Sequence, residues 1–365
     1  MPGTMIEDIR DTNAETLTRF DAIIDVRSPS EFAADHLPGA INLPVLDDVE
    51  RAEVGTIYKQ ESRFRARRIG AAFVARNIAR HLDGELATRE KLFNPLIYCW
   101  RGGMRSNAMA TVLTQVGWRV GLLNGGYKTW RRAVVAALRD STQKLPLVLL
   151  DGQTGTAKSD ILRAFGEQGG QILDLEALAN HRGSVFGGFA DAPQPSQTLF
   201  ESKLWAALQA LDHTKPILVE AESNRIARCE IPKRIWTAMR AAPHITVSSP
   251  PTVRAAYLQT AYADIIADKT RILDAVNRLR PFHPKEKIEA WCALAQSGTN
   301  GPLAAELMLM HYDPLYNRSR RRRATPPLAH FALEKLDAAT FATVARKIAF
   351  ALSNLGPKES IDVSS

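Results

Sequence analysis

The feature that most constrains this chain is a rhythm of short apolar runs separated by stretches of helical pattern. AIIDV (22–26), LIY (96–98) and VGLL (120–123) come first; LVLLD (147–151), ILDLE (172–176), PILVE (216–220) and HITVS (244–248) follow. Runs this short and this apolar read as strands buried on both faces, and strands alternating with helices imply parallel sheets covered on each side. Between them, SPSEF starts a helix with Ser28 or Ser30 as cap and Glu31 in its first turn, and HLPGAINLP (36–44) is turn chemistry around another short strand. Further helices are predicted over Gly55–Leu82, Ser106–Val116, Tyr127–Leu138, Thr252–Ala267 and Lys269–Leu279.

At 365 residues the chain is long for one hydrophobic core. The polar segment STQKLP (141–146) marks a boundary, giving an α/β domain over 1–140, a second over 147–250, and a helical, basic region over 251–365 packed on the second. A content of 45% hydrophobic and 24% charged residues is that of a folded chain and excludes wholesale disorder. No run of apolar residues reaches transmembrane length and the N-terminus lacks the pattern of a signal peptide, so a cytoplasmic location without membrane attachment is expected. The net charge of +8 favours a polyanionic partner. Cys99, Cys229 and Cys292 are too few and too scattered for a disulfide framework or a zinc site.

Cys99 has distinctive surroundings. In LIYCWRGGMRSNAMA it ends a strand, is followed by Gly102 and Gly103, and precedes a helix starting near Ser106. Open α/β sheets bind ligands at this carboxyl edge. Backbone N–H groups freed by the glycines, with a helix N-terminus behind them, make an anion-binding nest that stabilises a thiolate, and Arg101 and Arg105 add positive charge. The residues describe a nucleophilic thiolate in an anion cradle. Cys229 and Cys292 lack such a setting and read as packing or surface thiols.

After LVLLD comes a second loop, Gly152-Gln-Thr-Gly155-Thr-Ala157-Lys158-Ser159, followed by an apolar helix start. It matches the phosphate-binding pattern G-x-x-x-x-G-K-[ST] except that Ala157 replaces the second glycine. In this role backbone amides cradle phosphates, Lys158 reaches the outermost one, and Ser159 can hold a magnesium ion; no firm metal site is assigned, and Ala157 argues against assuming ATP turnover. Asp174, Glu220 and Glu222 stand at strand ends where metal- or water-orienting carboxylates sit, although helix capping would also place acids there. HRGS and FGGF provide loops with basic and aromatic members, and RSRRRR (318–323), with Arg320, Arg321, Arg322 and Arg323, extends a cationic path for RNA phosphates together with the Arg-rich helix of the first domain.

DVRSPSEFAADHLPGAINLP resembles the rhodanese pattern, while Cys99-x5-Arg105-Ser106 also fits the protein-phosphatase signature; Tyr98 stands where phosphatases usually have histidine. A rhodanese-like domain with CWRGGMRS, joined to a P-loop domain carrying LDLEALANHRGSVFG, PQPSQ, VEAESNRI and YDPLY (312–316), resembles the bacterial tRNA 2-selenouridine synthase family over nearly the whole chain. The resemblance implies a transferase that replaces the sulfur of 2-thiouridine at the tRNA wobble position by selenium. Its co-substrates would be selenophosphate and geranyl diphosphate, with an S-geranyl intermediate and a selenophosphate-supplying enzyme as a partner. Cys99 would carry selenium, Arg101, Gly102, Gly103, Arg105 and Ser106 would form its cradle, and the Gly152–Ser159 loop would take the geranyl donor's diphosphate. A Cys-dependent phosphatase and a non-catalytic RNA-binding module are the alternative readings.

Overall fold

The computed structural model describes residues 6–142, 144–189, 193–320 and 325–353. The chain forms two compact units, one of residues 1–140 with 196–210 and one of 141–195 with 211–365. The span 147–250 is thus interrupted, because helix Gln197–Gln209 belongs to the first unit. Polar contacts fix it there: Ser202 Oγ accepts from Trp130 Nε1 at 3.1 Å and donates to Asp35 at 3.1 Å, and Glu201 pairs with Arg131.

In the first unit, strands β1 (Ile6–Ile9), β2 (Ala22–Asp25), β3 (Ala40–Asn42), β4 (Pro95–Tyr98) and β5 (Val120–Leu123) form a parallel sheet of order β1-β5-β4-β2-β3. All four residues of the central strand β4 are buried, as expected of a strand covered on both faces. Ile24, Ile97, Met109 and Leu113 lie in the core between the sheet and its helices. The Arg-rich stretch predicted as one helix is two, Asp48–Gln60 and Arg63–Asp83, separated where Ser62 Oγ accepts from the Arg65 amide and caps the second.

The second unit is built on β6 (Leu147–Gly152), β7 (Ile172–Leu173), β8 (Ile217–Glu220), β11 (His244–Ser248) and β12 (Ala329–Ala332), parallel in the order β12-β11-β6-β8-β7; β9 (Arg225–Ile226) and β10 (Cys229–Glu230) make a separate short ribbon. Among the described residues the C-terminal region is helical apart from β12, which pairs with β11 as an edge strand. Helices Lys158–Glu167 and Ala338–Ser353 pack on each other over this sheet. A second core, centred on Trp291, joins the helices between residues 263 and 312.

Arg254 ties that helical region to the loop after β6. Its guanidinium is buried, forks onto the Asp313 carboxylate at 2.9 and 2.8 Å, and donates to the Thr154 carbonyl at 3.0 Å. The aspartate of YDPLY therefore positions the phosphate loop through one arginine. Asp313→Ala leaves a buried guanidinium without its carboxylate, so denaturant unfolding should show a loss of about 3–5 kcal/mol, whereas removal of an exposed pair such as Lys285–Glu289 should cost less than about 1 kcal/mol.

Candidate active site

In the first unit β4 delivers Cys99 to the carboxyl edge of the sheet. Its Sγ accepts the Gly103 N–H at 3.2 Å and lies 3.1 Å from the Ser106 hydroxyl, which is shared with the Gly103 carbonyl at 3.2 Å; both residues stand at the start of helix Met104–Val116, and Cys99 is 3% exposed. Two donors aimed at sulfur from a helix N-terminus stabilise negative charge there. Gly102 adopts φ +67°, which turns the loop back over the thiol. The loop is held from behind by residues not singled out in the sequence: the Tyr127 amide donates to the Cys99 carbonyl at 2.8 Å and the Lys128 amide to the Trp100 carbonyl at 3.3 Å. Between them Gly126 sits at φ +58°, and a Cβ there would lie 2.2 Å from the Cys99 oxygen.

A buried ion pair supports the residues flanking the cysteine. Arg27 and Asp25 meet at 2.6 Å, Arg27 also donates to the Asp35 carbonyl at 2.6 Å, and its guanidinium lies 4.2 Å from the Tyr127 ring, 5.6 Å from Tyr98 and 5.8 Å from Trp100. The Tyr127 hydroxyl in turn donates to Asp35 at 2.6 Å. Arg101 is exposed, but Arg105 is gripped by Glu31 at 2.6 and 3.3 Å, with Arg51 as the second partner of that carboxylate. Burial alone would raise the Glu31 carboxyl; the bond and charge of Arg105 outweigh it and hold the group below its ordinary range. Much of the Arg105 charge is thereby met inside the protein.

In the second unit the loop 153–157 opens on a cavity of about 1010 Å³, lined in part by Gly155, Lys158, Ser159, Glu176, Arg182 and Glu222. Ala157 takes the left-handed conformation, φ +61° and ψ +33°, that a glycine would adopt freely, so the loop keeps its shape at a backbone cost of about 1–3 kcal/mol. Lys158 Nζ donates to the Gly152 carbonyl at 2.8 Å and Ser159 Oγ to Glu176 at 2.6 Å. Glu176, two residues after the aspartate selected from sequence, is the acid that touches the loop. Asp174 instead accepts the Ala177 amide at 2.7 Å as a helix cap, and buried Glu220 accepts the Glu176 amide at 2.6 Å.

These acids crowd one another. Burial first, then Asp174 and Glu176, pushes Glu220 well above the carboxylate range; burial and Glu176 push Glu222 up to about 8 against the pull of Lys158. Glu222, which lines the cavity with Lys158, thus holds its proton to higher pH than an ordinary carboxyl. The HRGS loop also reaches the cavity: Arg182 packs 4.2 Å from the Phe189 ring and 5.1 Å from Tyr262, and its Nη1 has no hydrogen-bond partner among the described residues. Arg320 ends helix Asp313–Arg320, while Arg321, Arg322 and Arg323 lie outside the described residues. Among the described residues no three His, Cys, Asp or Glu side chains are grouped to hold a metal ion, and no helix is long and apolar enough to cross a membrane.

A parallel sheet presenting a cysteine within a ring of main-chain donors defines a rhodanese-like domain, and the lysine–serine loop over a large cavity defines a P-loop domain. Family models agree, with the rhodanese-like domain matching residues 7–133 and the AAA domain of tRNA 2-selenouridine synthase matching 145–280. Chromohalobacter salexigens tRNA 2-selenouridine synthase is 33% identical over 320 residues, 80% of this chain and 86% of that one. The chain belongs to the tRNA 2-selenouridine synthase family. The enzymes of that name from Shewanella denitrificans and Bdellovibrio bacteriovorus are each 36% identical, over 66% and 64% of this chain; these alignments span 65% and 62% of the relatives' own length, less than two thirds.

The displaced Glu222 titration has a measurable consequence. The folded chain keeps a proton on Glu222 up to about 8, whereas the unfolded carboxyl loses it near 4.5, so between these values stability falls as pH rises. Glu222→Gln removes that contribution: thermal melts should show a shallower decline in Tm than the parent across roughly pH 5 to 8, and identical slopes would show that Glu222 is ionised in the folded protein.

Proposed function

We propose that the protein is a transferase that replaces the sulfur of 2-thiouridine in tRNA by selenium. The observation that carries this reading is the convergence of the Gly103 amide and Ser106 hydroxyl on Cys99 Sγ, in a chain of this family. Cys99 is the nucleophile that takes selenium from selenophosphate: an S–Se bond forms, the Se–P bond breaks as water carries off phosphate, and the two electrons released pass to a disulfide oxidant, which leaves as two thiols. The amides of residues 101–103 bind the anionic group. A selenophosphate-supplying enzyme is the partner that this chemistry requires.

The second unit prepares the nucleoside. Its loop binds the diphosphate of geranyl diphosphate, with Lys158 and Arg182 opposing the negative charge; geranyl transfer to the 2-thio sulfur then makes the S-geranyl group. Alkylation turns a poor leaving group into a good one: the selenium held on Cys99 adds to carbon-2, geranylthiolate departs, and two thiols reduce the remaining Se–S bond, freeing 2-selenouridine and Cys99. Ser159 and Glu176 present oxygen donors that would hold a magnesium ion, which would neutralise the diphosphate as it leaves. Geranyl transfer written this way consumes no ATP.

Arg63, Arg65, Arg67 and Arg68 are exposed at the N-terminal end of their helix, where positive charge opposes the helix dipole. Such a placement is costly for the helix alone and fits a surface that meets RNA phosphates; the block 318–323 is a separate cationic stretch of the sequence. A cytoplasmic location, where tRNA resides, belongs to the same reading.

Mass analysis of nucleosides from tRNA incubated with the protein, selenophosphate and geranyl diphosphate tests the scheme. Cys99→Ser should abolish 2-selenouridine while S-geranyl-2-thiouridine still accumulates; full selenouridine formation would remove Cys99 from the mechanism. Lys158→Ala should raise KM for geranyl diphosphate about 10- to 100-fold, the worth of one charge-assisted bond, and unchanged kinetics would reassign the loop.

A further inference from the structure

Beside the phosphate-loop cavity lies a second, narrower chamber of about 80 Å³, walled largely by Ile265, Ile266, Ile272, Leu303, Leu307 and Met308. The two share a wall: Thr154, Ser184, Leu258, Tyr262 and Tyr312 line both. The contact with the loop is direct, because a Cβ on Gly155 would lie 3.1 Å from Leu258 Cγ. Several of the aliphatic residues belong to the buried core around Trp291, so the chamber is framed by packed helices and not by mobile surface. A single π-helical turn, Met308–Tyr312, sets Met308 in the narrow chamber and Tyr312 in the wall common to both; such turns recur where a helix is adapted to a ligand.

A phosphate-binding loop opening sideways into a slot of branched aliphatic side chains fits a ligand that is anionic at one end and hydrocarbon at the other. A nucleotide fits poorly there, since its ribose and base would bring many donors and acceptors against a wall whose amides are those of Gln259 and Asn300. We propose that this chamber binds the hydrocarbon tail of the prenyl diphosphate and, through Ala304 and Leu307, limits the tail length accepted. The inference rests on the reading that the loop takes a diphosphate, and adds to it the tail site and its measure of length. The wide cavity then holds the diphosphate and leaves room for the acceptor nucleoside.

The test uses the full chain with tRNA bearing 2-thiouridine and the five-, ten- and fifteen-carbon prenyl diphosphates, alongside calorimetric binding of inorganic pyrophosphate. Ala304→Trp should lower kcat/KM for the ten-carbon donor about ten-fold or more relative to the five-carbon one, with pyrophosphate binding unchanged. Leu307→Ala should act in the opposite sense, raising relative use of the fifteen-carbon donor several-fold, which keeps the test open if the bulky variant fails to fold. Unaltered chain-length profiles in folded variants that still bind pyrophosphate would overturn the tail site alone. Pyrophosphate binding that is absent, or indifferent to Lys158→Ala, or no transfer of any of the three donors by the parent protein, would remove the diphosphate reading and the inference with it.

Discussion

Gly126 presses its backbone against the Cys99 carbonyl so closely that no side chain fits between them, and the placement of the thiol depends on that contact. With the carbonyl pinned by the Tyr127 amide, the loop must close over the sulfur, and the Gly103 amide and Ser106 hydroxyl arrive as donors. The Arg27–Asp25 pair contributes in another way: a buried charge pair is costly to break, so it fixes the rings of Tyr98, Trp100 and Tyr127 in one arrangement. The cradle is thus held by the protein's own contacts, which is what electrostatic stabilisation of a developing charge requires.

The phosphate loop is organised by the same means, a rigid frame around a few main-chain donors. Ala157 occupies a glycine's conformation, Arg254 holds the Thr154 carbonyl, and Glu220 accepts the Glu176 amide so that Glu176 meets Ser159. Crowding the acids has an electrostatic result. Burial and mutual repulsion raise the proton affinity of Glu220 and Glu222, which weakens the repulsion a phosphate-bearing ligand would meet there compared with ordinary carboxylates.

The central strands and both loops were legible in the sequence because apolar runs, glycines and helix starts are local signals: β5 lies where its pattern places it, and β4 and the helix after Cys99 differ by one or two residues at their ends. What escaped was non-local. β1 and β12 are edge strands with partly exposed faces, so their residues carry no continuous apolar run. The sequence points to Asp174 and gives no sign of Glu176, because only the folded backbone shows which of two neighbouring acids turns toward Ser159 and which caps a helix. Arg105 carries the right charge at the right spacing, yet its engagement by Glu31, 74 residues away, could not be read from spacing. The apolar chamber draws its walls from several short helices between residues 251 and 312 together with loop residues as distant as Thr154, and left no compact motif.

The central claim is that the ring of donors around Cys99 makes it the atom that receives selenium. Peptide mass mapping of the full-length protein after brief exposure to selenophosphate and a disulfide oxidant, without tRNA, addresses it most directly. Selenium bound to the peptide containing Cys99, and lost in Gly126→Ala where the loop can no longer close, is the result this account predicts. Selenium on Cys229 or Cys292, or loading of Cys99 that is indifferent to Gly126→Ala, would contradict it.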